Sequence, residues 1–265
     1  MIFFVFLLCV LVETMNIFTN LNLYYMTLSL NFLSITKMAT DDYVGFTFFV
    51  GCMAMMAASV FFFLSMSSVD KKWRISLLVS GLITFIAAVH YFYMRDYWAA
   101  FGESPTFFRY IDWVLTVPLM AVEFYLILKI AGAKKSLMWR LIFLSVVMLV
   151  TGYIGEAINP ENAQIWGLIS GIAYFVIVYD IWLGTAKKLA VEAGGAVLTA
   201  HKALCWFVLV GWAIYPIGYM AGTPGWYSGI FGGLDLNIIY NIGDAINKIG
   251  FGLVVYNLAV QSSEK

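Results

Sequence analysis

The sequence predicts an all-α bundle of seven membrane-crossing helices, and three observations carry that prediction. First, 63% of the 265 residues are hydrophobic and only 11% are charged, with a mean hydropathy of +0.89. Soluble domains carry about 25% charged residues, so this inventory could hardly cover a water-facing surface. Second, apolar stretches recur at about the 20-residue length that a helix needs to cross the hydrocarbon core. Third, no stretch shows the alternation of a membrane β-barrel. The chain therefore has a lipid bilayer as its partner. Net charge is zero and no basic tract occurs, which excludes nucleic acid as a partner. Cys9, Cys52 and Cys205 are scattered through apolar contexts, without a CxxC or Cys/His cluster. Neither disulfides nor a metal site is expected.

The spans read in order as 44–67, 73–95, 106–131, 136–158, 164–186, 202–222 and 234–260. Lys71, Lys72 and Arg74 separate the first pair; Lys134, Lys135 and Arg140 follow the third span, just after Lys129. Lys187, Lys188 and Lys202 separate the fifth and sixth, and Lys265 ends the chain. The opposite side has Arg95 and Lys37 but collects Asp41, Asp42, Asp96, Glu103, Glu161 and Asp235. Positive charge marks the cytoplasmic face, so the N-terminus is expected outside and the C-terminus in the cytoplasm.

Residues 1–37 stand apart from the seven-helix body expected over 38–265. Met1 to Val12 is apolar enough for a signal h-region, but it has no basic n-region and no small-residue cleavage motif. It is too short to span. The extension reads as signal-like or as a mis-assigned start, since Met38-Ala-Thr-Asp-Asp would make an ordinary N-terminus. No internal repeat stands out, which counts against a transporter built from inverted repeats.

Lys248 sits where a charge should not be, inside the last apolar stretch and four residues after Asp244. A lysine there costs several kcal/mol if left alone. The i,i+4 spacing puts Asp244 and Lys248 on one helix face. They could form a structural ion pair, or Lys248 could be an amine reserved for covalent chemistry with an aldehyde.

Span 3 carries the densest intramembrane chemistry. At about 100° per residue, Arg109, Asp112, Thr116 and Glu123 fall on nearly one face. Asp112 and Glu123 are separated by about 16 Å along the axis. Arg109 a turn away and a cationic Lys248 both favour an ionised Asp112, whereas Glu123, among Met120, Val122, Phe124 and Leu126, should stay protonated. An ionised carboxylate and a carboxylic acid at opposite ends of a path are an acceptor and a donor. The plainer reading is a set of interhelix hydrogen bonds. His90 in span 2 could be a satisfied core residue or could hydrogen-bond an acid. Trp113 and Met120 on span 3, and Trp212, Tyr215, Pro216 and Tyr219 on span 6, cluster near the expected depth of Lys248. Pro216 marks a bend or hinge.

Three segments carry a family resemblance: Arg109-Tyr-Ile-Asp-Trp-Val-Leu-Thr-Val-Pro-Leu, Gly211-Trp-Ala-Ile-Tyr-Pro-Ile-Gly-Tyr and Tyr240-Asn-Ile-Gly-Asp-Ala-Ile-Asn-Lys-Ile-Gly-Phe-Gly. They resemble the microbial (type 1) rhodopsins, specifically proteorhodopsins, over about residues 40–262. The resemblance implies the microbial rhodopsin fold and a light-driven outward proton pump of the bacterial inner membrane. Lys248 would hold all-trans retinal as a protonated Schiff base, with Asp112 and Asp244 as counterions. Asp112, Thr116 and Glu123 match the Asp-Thr-Glu triplet of outward pumps, with Asp112 accepting the proton and Glu123 returning one from the cytoplasm. His90 matches the histidine that pairs with the acceptor and raises its proton affinity, in tension with the ionised Asp112 expected above. Trp113, Trp212 and Tyr215 would sandwich the polyene, and Met120 stands at the colour-tuning position, where an apolar residue implies green absorption.

Finer implications follow from the same resemblance. Glu156 matches an acid near the release side. Gly167 resembles the small residue that opens a lateral window for a carotenoid antenna in xanthorhodopsin-like pumps, although a glycine for close packing is an equal reading. A pentamer or hexamer is implied. The first loop, Phe-Phe-Leu-Ser-Met-Ser-Ser-Val, lacks the charged cluster of some proteorhodopsins, and Phe49 replaces a frequent tryptophan, so the interface would differ in detail. The alternative function is a photosensory rhodopsin of the same fold, signalling to a partner protein. Retention of Glu123 and the absence of a fused output domain argue against it.

Overall fold

The computed structural model of the protein describes residues 39–231 and 235–263. The extension expected over 1–37 lies outside the described residues. Among the described residues there are seven helices long and apolar enough to cross a membrane: Tyr43–Ser68, Lys71–Phe101, Thr106–Ala131, Lys135–Ile158, Pro160–Ala193, Gly195–Gly222 and Leu236–Ser263. No strand occurs among them.

The expected spans are all present, but several helices run further than apolarity alone suggested. Span 2 continues past 95 to Phe101, through the polar Arg95-Asp-Tyr-Trp turn, and stops at Gly102, whose φ of 65° needs the left-handed conformation. Span 5 breaks at Leu183 and Gly184 and resumes as Thr185–Ala193. Span 6 begins at Gly195, seven residues before its expected start at 202. Polar turns outside the hydrocarbon core remain helical because their backbone bonds stay internal, and hydropathy cannot register them.

Local chemistry explains several helix ends and irregularities. Asp42 caps span 1 by accepting the Gly45 amide at 2.8 Å. Span 3 carries Pro118 in its interior, where the ring removes one ladder bond without ending the helix. The outer end of span 4 widens into a π-helical turn over Ile154–Ile158. Span 6 contains a second π-helical turn over Phe207–Gly211 before resuming as Ile214–Gly222.

Consecutive spans pack side by side, and span 7 returns against spans 1, 2 and 6 to close the bundle. A large apolar cluster joins spans 2 to 7. A smaller one, built on Phe48, Cys52, Met55 and Tyr91, joins span 1 to span 2. The Asp70 amide bonds the Ser263 hydroxyl at 2.9 Å, tying the first turn to the end of span 7. At the other end, Trp98 Nε1 donates to Asp42 Oδ1 at 3.0 Å. The polar site lies between these ends.

Candidate functional site

Lys248 is 2% exposed, and Asp112 and Asp244 are fully buried. The lysine Nζ donates to Asp112 Oδ2 and, at 2.7 Å, to Asp244 Oδ2. Asp244 reaches it from one turn away on span 7, whereas Asp112 reaches it from span 3. Tyr215 Oη, from span 6, donates to the other Asp244 oxygen at 2.7 Å. Three spans thus converge on one amine. A buried ion pair persists only when its remaining lone pairs are met by further bonds, and Tyr215 meets that need at Asp244.

Two negative groups against one amine leave a charge to balance, and Arg109 supplies it. Arg109 is 1% exposed. Its guanidinium does not bond Asp112, although the two residues lie one turn apart on span 3. It donates instead to the carboxamide oxygens of Asn241 and Asn237, both at 3.0 Å. Its charge also faces the rings of Phe48 and Tyr240 at 5.3 and 5.1 Å. The cause is geometric: the long side chain leans towards the N-terminal end of its helix, into span 7, rather than down its own face.

The other expected partners of Asp112 make weaker contacts. His90 Nδ1 lies 3.9 Å from Asp112 Oδ1, beyond a direct hydrogen bond. It meets the Ile86 carbonyl at 2.9 Å within its own helix. Thr116 donates to the Asp112 backbone carbonyl at 2.8 Å, not to the carboxylate.

Glu123 occupies a different world on the same helix. It is fully buried. Ser80 Oγ, from span 2, donates to its Oε1 at 2.7 Å, and Oε2 has no hydrogen-bond partner among the described residues. No described cation pairs with it. The next residue on span 3, Phe124, packs its ring against Phe251 of span 7 at 5.8 Å.

An apolar cavity opens against span 3 next to Asp112, lined by Trp113, Val117, Met148, Tyr174, Trp212, Tyr215, Pro216 and Tyr219 among others, with Lys248 itself outside its wall. Its non-atom space is about 680 Å³, open mouth included. Trp113 and Tyr215 stand 4.9 Å apart and connect the cavity to the carboxylates, because Tyr215 lines one and bonds the other. Of the six residues expected near the depth of Lys248, Trp113, Trp212, Tyr215, Pro216 and Tyr219 line it. Met120 does not: it is buried in the large core cluster one turn beyond Val117, outside the wall.

Gly167 also lines the cavity, and a Cβ there would stand 2.7 Å from the Tyr219 ring. The glycine therefore lets spans 5 and 6 pack closely at this depth. Glu156 sits on the π-helical turn of span 4 and accepts the Tyr110 hydroxyl at 2.8 Å. Tyr110 packs edge-on against Trp113 at 5.0 Å, which links Glu156 to the cavity wall.

Several partners escaped the sequence reading. Asn237, Asn241, Asp244 and Lys248 form one polar stripe on an otherwise apolar helix, a periodic signal that was available. Ser80 had none, because a serine in a span ordinarily bonds its own backbone. His201 was also missed: it is fully buried, with Nε2 2.8 Å from the Ile181 carbonyl. No group of three or more metal-ligating side chains occurs among the described residues.

A seven-helix membrane bundle with a lysine buried between two carboxylates, beside an aromatic cavity, defines the class. The chain belongs to the bacteriorhodopsin-like protein family, whose sequence model matches residues 42–262. It is 45% identical over 224 residues to a green-light absorbing proteorhodopsin of Gamma-proteobacterium EBAC31A08, covering 84% of this chain and 89% of that one. A blue-light absorbing proteorhodopsin of Gamma-proteobacterium Hot 75m4 is also 45% identical, over 225 residues, covering 84% and 88%. Among solved structures, blue light-absorbing proteorhodopsin from Med12 superposes with a TM-score of 0.71 at 44% identity, covering 83% of this chain and 100% of that one. Xanthorhodopsin, described as a light-driven ion pump with dual chromophore, gives 0.72 at 32% identity, covering 83% and 94%. The chain is thus similar to rhodopsins of the pump type.

Proposed function

We propose that this protein is a light-driven outward proton pump that carries all-trans retinal on Lys248. The observation that carries the proposal is a buried amine held between two carboxylates beside an aromatic cavity. The residues present fit the group: Lys248 offers the attachment nitrogen, and Trp113, Trp212, Tyr215 and Pro216 offer an apolar, flat-walled slot. Bound there, retinal supplies visible-light absorption and a light-driven change of geometry at the Lys248 nitrogen.

The chain's own residues then divide the proton work. Asp112 Oδ2, already in contact with the nitrogen, accepts its proton. Asp244, fixed by Tyr215, stays ionised and holds the positive charge in place. Glu123, buried without a cation, keeps a proton until the nitrogen needs one. Arg109 and Glu156 stand on the far side of Asp112 from Glu123, where a released proton would leave. With positive loops on the cytoplasmic face, the path runs from Glu123 outward through Asp112.

The same reading places the protein as a multi-pass component of the bacterial inner membrane, assembled as a pentamer or hexamer. Green absorption is expected, and a maximum in the blue range for the retinal-bound protein would refute it. An antenna carotenoid against Gly167 extends the reading. Likeness to xanthorhodopsin and the open space at Gly171, where a Cβ would meet nothing within 4 Å, support it. Energy transfer from an added hydroxylated carotenoid to retinal tests the antenna, and no transfer removes it.

The pump itself is tested by illuminating unbuffered cells that express the protein with retinal. External acidification that a protonophore abolishes is the expected result. Pigment without any light-induced pH change would sink the pump and favour a photosensory role.

A further inference from the structure

Span 6 breaks its own hydrogen-bond ladder beside the site, and side chains of two neighbouring helices reach the carbonyls set free there. The Trp212 amide bonds Phe207, five residues back, at 3.0 Å; the Ala213 amide bonds Val210, three back, at 3.2 Å. The Tyr215 amide bonds Trp212 at 3.1 Å, the carbonyl that Pro216 cannot reach because it has no N–H. These shifts deprive the carbonyls of Val208, Leu209 and Gly211 of their usual i+4 amides. A buried carbonyl without a partner is costly, so its bond must come from elsewhere.

It comes from the two neighbouring helices. Tyr174 Oη, on span 5, shares its one proton between the carbonyls of Val208 and Leu209 at 3.0 and 2.9 Å. Asn247 Nδ2, on span 7, donates to the Gly211 carbonyl at 2.8 Å. Asn247 is 2% exposed and precedes Lys248 directly. Its carboxamide oxygen fills the space that a Cβ at position 211 would take, so only glycine admits this approach.

We propose that Asn247 is a positioning residue that ties the Lys248 backbone to a hinge in span 6. The hinge is the π-helical turn with Pro216 beyond it, and Tyr174 clamps its other side. Any displacement of the helix at Lys248 pulls on the Asn247–Gly211 bond, and releasing that bond frees a turn whose ladder is already broken. The proposal rests on the retinal-pump reading for its trigger, although the clamp itself does not.

Hydrogen exchange of the amides at 208–213, in the dark and under illumination, tests it on the full retinal-bound chain. In the unmodified pigment, light should raise exchange there. Asn247→Leu should raise dark exchange at least tenfold and reduce the added effect of light to less than twofold. Gly211→Ala breaks the same bond from the other side, and Tyr174→Phe releases the second clamp, so one non-folding variant leaves two others. Variants whose dark and light exchange both match the unmodified pigment within twofold would overturn the proposal. Raised dark exchange with the light effect intact would leave a structural clamp and overturn the positioning role. If the unmodified chain takes up no retinal, the functional reading fails, while dark exchange still decides the clamp.

Discussion

Span 3 holds two buried carboxyl groups that the helix itself treats alike and the bundle treats oppositely. Asp112 meets an ammonium from span 7, which a second carboxylate, Asp244, also contacts. Glu123 meets one serine hydroxyl and otherwise apolar surroundings. Both are fully buried, so burial is not what distinguishes them. Neighbours from other spans set the difference: a carboxylate can remain ionised in a low-dielectric interior only beside a cation, and one without a cation keeps its proton. On the proposed reading, one helix thereby presents an acceptor and a donor on a single stripe.

Four substitutions break or sharpen that contrast. Removing the cation has the largest expected effect. Lys248→Ala leaves Asp112 and Asp244 facing each other without an ammonium, costs about 3–5 kcal/mol of stability and abolishes retinal-dependent colour; thermal unfolding and an absorption spectrum check both. Asp112→Asn should spare pigment formation, because Asp244 still balances the nitrogen, but stop light-induced acidification. Retained transport in that variant would show that Asp112 is not the acceptor.

At the other end the effects fall on a later step. Glu123→Gln should leave the early photocycle intact and slow its recovery about a hundredfold, the lower range for losing a positioned acid. Flash photolysis reads this directly, and a fast recovery contradicts the donor assignment. Ser80→Ala should do least. It removes one hydrogen bond worth about 1 kcal/mol, so recovery should change only a few-fold while the early steps and the colour stay as they are. An effect on Asp112 protonation from this change would erase the distinction between the two ends.

Much of this arrangement was legible in the sequence because it follows from helical period. The stripe of Arg109, Asp112, Thr116 and Glu123 and the Asp244–Lys248 pair need only about 100° per residue. The seven spans need only hydropathy. What could not be read were contacts between helices. The Arg109 spacing placed it a turn from Asp112 without naming its hydrogen-bond partners, which are Asn237 and Asn241. His90 approaches Asp112 but bonds its own helix. Ser80 resembled any serine in a span until the packing of spans 2 and 3 set it against Glu123.

By itself, then, the sequence determined the number of spans, their polar faces and the chemical types available at each depth. Those are local properties, written in composition and in a period of 3.6 residues. Only the tertiary structure decided which polar faces meet: that Lys248 lies between carboxylates from two helices, that Tyr215 steadies one of them, and that Asn247 reaches across to Gly211. The reason is that inside a bilayer every buried polar group must find a partner, and several partners would satisfy each one. Helix packing selects among them.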